Sequence, residues 1–513
     1  MKRLDPTELE VMKHNFTAIP EQMGAALQRC AYSPNIKERM DESCALFSSD
    51  QKMIAQAEHI PVHLGAMPKA LESSVKRVDF GPEDQIIIND PYSGGTHLPD
   101  ITIIKPVFMD DLQLGFVVNR AHHADIGGKT PGSMPGESKK LEEEGLIFPP
   151  QLIITDGDEN KKVFKLFKKT RSPEERIGDL RAQIGANERG AVEFKKAVKK
   201  FSFEKYQAFK EEIIKYSEQR TKEMMKKLPN TQLESEDLME WNDGIKLKLK
   251  MSLEKENITY DFSGTDPQVE GNINAPEPVT HSAVYYTLRC LLPRDVPVNE
   301  GCYSPINVFV PEKSVLNPSP PAAVSAGNVE TSQRVVELIF RALAEILPEK
   351  IPAESQGTMN NLVIGSDDFT YYETIGGGAG GSKKRKGESG VHVHMTNTKN
   401  TPIESLENNY PLLVTSYNLR KGSGGSGKNP GGEGIVREIK VLKDVKVSIQ
   451  SERREIRPKG LKGGGDGDVG KNIRIKGSKK KILKSKVTVD LEEGERIRIE
   501  TPGGGGWGKV RKI

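Results

Sequence analysis

Histidine and cysteine are both scarce in this chain, and each scarcity excludes something. Four cysteines in 513 residues (Cys30, Cys44, Cys290, Cys302) lie scattered with no C-x-x-C pair, so neither a disulfide framework nor a cysteine zinc site is implied. No apolar run approaches the ~20 residues that cross a bilayer. The opening stretch MKRLDPTELEVMKHNF carries acids and lacks the continuous apolar core of a secretion signal, so the cytoplasm is the expected location. Aromatic residues make up only 6%, and the basic runs Lys383–Lys386 and Lys479–Lys481 have none interleaved; they read as solvated turns, with no nucleic-acid partner expected. There is no G-x-S-x-G elbow. Arg289 could lower the thiol pKa of Cys290, but Leu291 and Leu292 point to a core position for it. Gly127-Gly128-Lys129-Thr130 ends like a phosphate loop, yet His123 stands where the first glycine belongs. ATP, if used, is expected to bind elsewhere.

Charge is balanced but dense. The 75 basic and 72 acidic residues leave a net +3, which says little about partners, while 29% charged residues imply a heavily ionised surface. A chain of this length buries a large core and usually divides into two or more domains.

The few histidines are concentrated. Three of the nine fall between residues 97 and 125, inside two copies of His-x-x-Asp: His97-Leu-Pro-Asp100 and His122-His123-Ala-Asp125. Each copy is fed by a run that reads as a buried strand, Ile86–Ile88 before Asn89-Asp90-Pro91-Tyr92 and Gly115–Val118 before Asn119-Arg120-Ala121. Imidazoles and carboxylates delivered from neighbouring strand ends are how a protein holds a divalent metal with mixed nitrogen and oxygen ligands. A single His-x-x-Asp is ordinary turn chemistry. Two copies, with Asp41, Glu58, His59 and His63 upstream, favour a metal-dependent active site. Spacing leaves the ligand set open among Asp41, Glu58, His59, His63, Asp90, His97, Asp100, His122, His123 and Asp125, and the metal open among Zn, Mn and Fe.

Periodicity gives an α+β chain: a strand-rich, metal-bearing region over 1–165, a charged helical segment over 166–235, an α/β region over 236–350 and a glycine-rich, β-containing region over 351–513. A helix is predicted from about Asp5 to Cys30, on Leu9, Met12, Phe16, Ile19, Met23 and Leu27. Ser172-Pro173-Glu174-Glu175 reads as a capping box opening a helical region that runs to about Lys227. Strands follow at Lys246–Leu253 and around Ile258, Tyr260 and Phe262, then a helix over about Thr331–Leu347. Glycine clusters at 376–381, 422–427, 463–467 and 503–506 punctuate the last region with no fixed period.

Eight ordered stretches carry a resemblance. They are RCAYSPNIKERMDESCALF (29–47), IAQAEHIPVHLGAMP (54–68), NDPYSGGTHLPDITIIKPVF (89–108), NRAHHADIGGKTPGSMPG (119–136), FSGTDPQVEGNINAP (262–276), SAGNVETSQR (325–334), VHVHMTNTKNTPIESLE (391–407) and TPGGGGWG (501–508). Over its whole length the chain resembles the hydantoinase B/oxoprolinase family. The resemblance implies a metal-bearing subunit of an ATP-dependent hydrolase of cyclic amides such as hydantoin, N-methylhydantoin or 5-oxoproline. A hydantoinase A-type ATPase partner would activate the carbonyl by phosphoryl transfer. The related α subunits of acetone carboxylase-type enzymes supply the alternative, ketone carboxylation. By motif, the resemblance implies Asp41, His97, Asp100 and His122 as ligands of a divalent metal, Zn or Mn. It leaves His123 and Asp125 for ligand orientation or proton transfer, and Glu58 and His59 as weaker candidates. Asn328, Glu330, His392 and His394 are positions from which a side chain could reach substrate. The basic run Lys383–Lys386 departs from the neutral, glycine-rich link expected there and marks a loop that could shape substrate choice.

Overall fold

The computed structural model describes residues 4–58 and 60–510, apart from the side chain of Glu58. Two of the weaker ligand candidates, the Glu58 side chain and His59, therefore lie outside the described residues.

The first helix forms over Pro6–Cys30, capped by Asp5, whose carboxylate accepts from Thr7 N at 2.8 Å. Its buried stripe (Met12, Phe16, Ile19, Met23, Leu27) lies on a seven-stranded antiparallel sheet. The strands are β1 (Glu42–Ser48), β2 (Met53–Glu58), β3 (Gln85–Ile88), β4 (Asp100–Met109), β5 (Leu112–His122), β6 (Gln151–Thr155) and β7 (Asp158–Glu159), in the order β2-β1-β5-β4-β3-β6-β7. Both β1 and β3 are buried along their full length. They are buried end to end because both faces of the sheet are covered there.

The charged segment is two helices, Pro173–Phe201 and Phe203–Met225, broken at Ser202, where φ is 77°. The capping box expected at Ser172 is absent. Ser172 sits in the left-handed region at φ 50°, makes no cap bond, and donates instead to Asp368 O at 3.3 Å. Asn187 and Gln183 on the first of these helices tie it to the sheet. The Asn119 amide donates to Asn187 Oδ1 at 2.8 Å, and Gln183 Nε2 donates to Ile101 O at 2.9 Å.

A second sheet, in the order β11-β10-β9-β8, comprises β8 (Thr231–Met239), β9 (Ile245–Leu253), β10 (Ile258–Asp261) and β11 (Ile306–Phe309). On β9 the predicted alternation holds, with Leu247, Leu249, Met251 and Leu253 inside. The helix Ser332–Ile346 covers this sheet and is entered through a π-helical turn, Gly327–Thr331. Beyond it, β12 (Asn361–Gly365) and β13 (Thr370–Thr374) pair in a four-stranded sheet with Val445–Gln450 and Lys486–Leu491. The strands Leu412–Arg420, Gly434–Val441, Arg496–Glu500, Lys471–Lys476 and Lys479–Leu483 make a five-stranded sheet in that order. Helices and several sheets are mixed, as an α+β reading requires. One apolar core draws residues from Ala45 to Met395. Among the described residues, no helix is long and apolar enough to cross a membrane.

Candidate metal centre

Strand register builds the site. Asp100 opens β4 and His122 closes β5, and the two are direct cross-strand partners. Glu42 pairs with Ala121, so Asp41 arrives beside His122, whose backbone N–H donates to Asp41 O at 3.0 Å. His97 stands in the tight turn leading into β4, where Asp100 N donates to His97 O at 3.0 Å. Three motifs separated in sequence therefore meet at one end of the adjacent strands β1, β5 and β4.

Their side chains converge. His97 Nε2 lies 3.0 Å from His122 Nδ1, His122 Nδ1 lies 3.1 Å from Asp100 Oδ1, and His97 Nε2 lies 3.3 Å from the same oxygen. Ligands ~2.0–2.2 Å from one ion in tetrahedral or octahedral geometry stand ~2.8–3.6 Å apart, which is the spacing found. All three residues are buried, and the cavity they share measures ≈ 20 Å³, room for one ion or one water. The donor set fits a divalent cation.

Electrostatics points the same way. Burial works against the Asp100 carboxylate, but His97, His122 and His63 outweigh it and hold its pKa well below the usual range. Thr96 Oγ1 donates to Asp100 Oδ2 at 2.5 Å, and His63 Nε2 stands 3.5 Å from it. Burial lowers the His122 pKa against the pull of Asp100 and Asp41, which favours the neutral imidazole that a metal requires. Tyr372 of β13 stacks on His122, centroids 4.6 Å apart, and donates to Asn361 Oδ1 at 2.7 Å.

Asp41 lines the same cavity but, among the described residues, is not one of the three convergent groups; it pairs with Arg39 at 3.8 Å. The buried Arg39 also donates to Tyr372 O and Thr374 Oγ1 at 2.9 Å each, bolting this segment to β13. His63 joins the cavity as well, with Nδ1 2.9 Å from Ser43 Oγ.

Other candidates are placed elsewhere. Consecutive strand residues face opposite ways, so His123 points into the opposite layer, its Nε2 2.9 Å from Gln183 Oε1. Burial pushes its pKa down to about 4, against the pull of Asp179. Asp125 accepts from Gly127 N at 2.8 Å and Gly132 N at 2.9 Å and pairs with Arg171 at 3.0 Å, so it organises the following loop. Asp90 caps a turn, accepting from Tyr92 N at 3.0 Å and Ser93 Oγ at 2.6 Å.

Tyr372, Thr396, Thr398 and Asn328 also line the cavity. Sequence reasoning missed the first three, since nothing local links them to residues more than 200 positions upstream. Thr396 also lines a cleft of ≈ 1180 Å³, together with Cys290, Arg289, His392, His394 and the basic residues Lys384–Lys386. Cys290 thus stands on the cleft wall and not in the core. On that wall His394 Nε2 lies 2.9 Å from Glu337 Oε1, at a backbone φ of 54°.

The α+β scaffold closes a His/Asp triad beside a large cleft, and comparison with known proteins places the chain. A caprolactamase from Pseudomonas jessenii, described as ATP-dependent, has the same fold: TM-score 0.93 at 24% identity, covering 99% of this chain and 92% of that one. The 5-oxoprolinase 1 of Arabidopsis thaliana is 43% identical over 98% of this chain, and the chain spans 42% of that relative's length. A protein of Pseudomonas sp. strain NS671, provisionally named as the B-type subunit of a D-/L-hydantoinase, is 30% identical over 99% of this chain and 90% of its own length. Residues 5–510 match the Hydantoinase B/oxoprolinase family. The chain belongs to that family.

Proposed function

We propose that this chain is the metal-bearing part of an ATP-dependent cyclic amide hydrolase, acting on a ring carbonyl that a companion ATPase has activated. The observation that carries the reading is the triad His97–Asp100–His122, closed around a cavity of ≈ 20 Å³ that shares Thr396 with the large cleft. The relatives support the division of labour: one is named as part of a multi-chain enzyme, and this chain accounts for 42% of the length of another. In this reading the ATP site lies on the remaining part of such an assembly.

His97, Asp100 and His122 would hold the ion, with Asp41 and His63 within the same enclosure. A divalent cation there supplies Lewis acidity toward a carbonyl oxygen and lowers the pKa of a bound water. The chain's own groups do the rest. Asp100 stays ionised because three imidazoles surround it, and Thr96 fixes its second oxygen. Ring opening leaves an amine nitrogen that needs a proton. With Nε2 held by Glu337, His394 would use Nδ1 to take the proton released by the attacking water and pass it to that nitrogen in the cleft. This assigns to His394 the proton-transfer role first expected of His123 and Asp125.

Elemental analysis of the purified chain beside His97→Ala and His122→Ala tests the site. About one Zn or Mn per wild-type chain is expected, lost in both variants while the fold is kept; stoichiometric metal in both variants refutes the assignment. Reconstitution with an A-type ATPase, ATP and cyclic amides tests the activity. Bicarbonate-dependent ATP turnover with a ketone would move the assignment to carboxylation.

A further inference from the structure

One wall of the small cavity comes from outside the histidine motifs. Asn328 and Val329 reach it from the π-helical turn Gly327–Thr331 at the head of the helix Ser332–Ile346. Such turns are rare because their hydrogen bonding is poor, and they collect at functional sites. This one is clamped from behind. Gly327 lies so close to the Asn274 carbonyl oxygen that a Cβ would collide with it, and Thr331 Oγ1 donates to Ile273 O at 2.5 Å. Ser332 Oγ donates to the Asn328 backbone carbonyl at 2.7 Å.

The Asn328 backbone is thereby held in place; the residue is 2% exposed, and its side-chain Oδ1 has no hydrogen-bond partner among the described residues. Leaving a buried polar atom unsatisfied costs ~1–3 kcal/mol, so each such atom in a native structure calls for an explanation, a bound ion among them. The enclosure, at ≈ 20 Å³, admits one ion or water, and a ring-sized substrate would lie outside it, on the side of the cleft that shares Thr396. What Asn328 meets there is what the triad meets.

We propose that Asn328 Oδ1 is a further ligand of the cation, delivered by the π turn; the proposal rests on reading the triad as a metal centre. An amide carbonyl is a neutral, hard oxygen donor. It adds a ligand without adding negative charge, so the cation keeps more of its Lewis acidity than another carboxylate would leave it. It also shifts the donor set toward oxygen, the preference of Mn²⁺ more than of Zn²⁺.

The test uses the full chain, stripped of metal by a chelator and titrated with Mn²⁺ and with Zn²⁺ against a chromophoric competitor, as wild type, Asn328→Ala and Asn328→Asp. The alanine variant is expected to bind Mn²⁺ ~10–100-fold more weakly and Zn²⁺ less affected, with the metal-free melting transition retained. Asn328→Asp keeps an oxygen at the same reach and is expected to restore Mn²⁺ binding. Wild-type Mn²⁺ affinity in Asn328→Ala would overturn this proposal alone. A wild-type chain that binds neither metal would overturn the metal-centre reading, and this proposal with it.

Discussion

Asp237→Asn probes the buried charge cluster that fixes the helix behind the π turn. Asp237, on β8, faces three guanidiniums: Arg341 at 3.0 Å, Arg334 at 3.2 Å and Arg453 at 3.8 Å. Burial opposes its charge, but the three arginines win and bring its pKa down from 3.8 to about 2. At ~1.4 kcal/mol per pKa unit, that shift contributes about 2.5 kcal/mol of stability at neutral pH. Breaking a buried pair can cost ~3–5 kcal/mol when a charge is stranded. Here Arg334 keeps Glu452 and Arg453 keeps Glu354, both at 2.9 Å, so the smaller figure is expected. The contribution is present above the unfolded-state pKa and disappears as pH falls through the folded-state value. By pH 3 it should drop to about half, ~1.3 kcal/mol. Urea unfolding of wild type and Asp237→Asn at pH 7 and pH 3 reads this directly. A gap between the two proteins that is equal at both pH values, or absent at pH 7, refutes the electrostatic account.

Two further substitutions separate scaffold from site. Gly327→Ala drives a Cβ into the Asn274 carbonyl; overpacking of this kind costs ~1–3 kcal/mol, and thermal melting should show the loss together with weakened Mn²⁺ binding as Asn328 is displaced. His123→Ala removes a neutral ring bonded to Gln183; about 2 kcal/mol of stability should be lost while elemental analysis finds the metal content unchanged, and loss of metal would return His123 to the site.

The site was legible where its residues are close in sequence or joined by one ladder. Two His-x-x-Asp copies at strand ends meet because Asp100 and His122 are cross-strand partners. The same ladder places His123 away from the cavity, against Gln183. Two consecutive histidines on an extended chain cannot face one cavity, and the alternation rule applied to His122-His123 would have chosen between them. Tyr372, Thr396 and Thr398 carry no local signal, because tertiary packing alone brings β13 and the segment after it to the ends of the central strands. Ser172 was misread for a different reason. Ser-Pro-Glu-Glu has the composition of a capping box, but capping also needs extended backbone at the serine, and Ser172 lies at φ 50°.

Glycine density was visible in the sequence, but its meaning was not. The clusters at 376–381, 422–427, 463–467 and 503–506 suggest turns between strands, and no period connects them. In the fold they meet one another. Gly425 N donates to Gly504 O at 2.8 Å, Gly504 N to Gly432 O at 3.0 Å, and Gly381 N to Gly505 O at 2.8 Å. A Cβ on Gly378 would collide with Gly432, and one on Gly431 with Gly504. Backbones packed this closely have no room for side chains, so glycine is required there by contact more than by turn geometry. Ala379, Gly380 and Gly387, from the same packed backbone, line the large cleft beside His392 and His394. A cleft wall made of backbone holds its shape without depending on side-chain rotamers. Lys384, Arg385 and Lys386 line the same cleft, so its wall combines close-packed backbone with positively charged side chains beside His392 and His394.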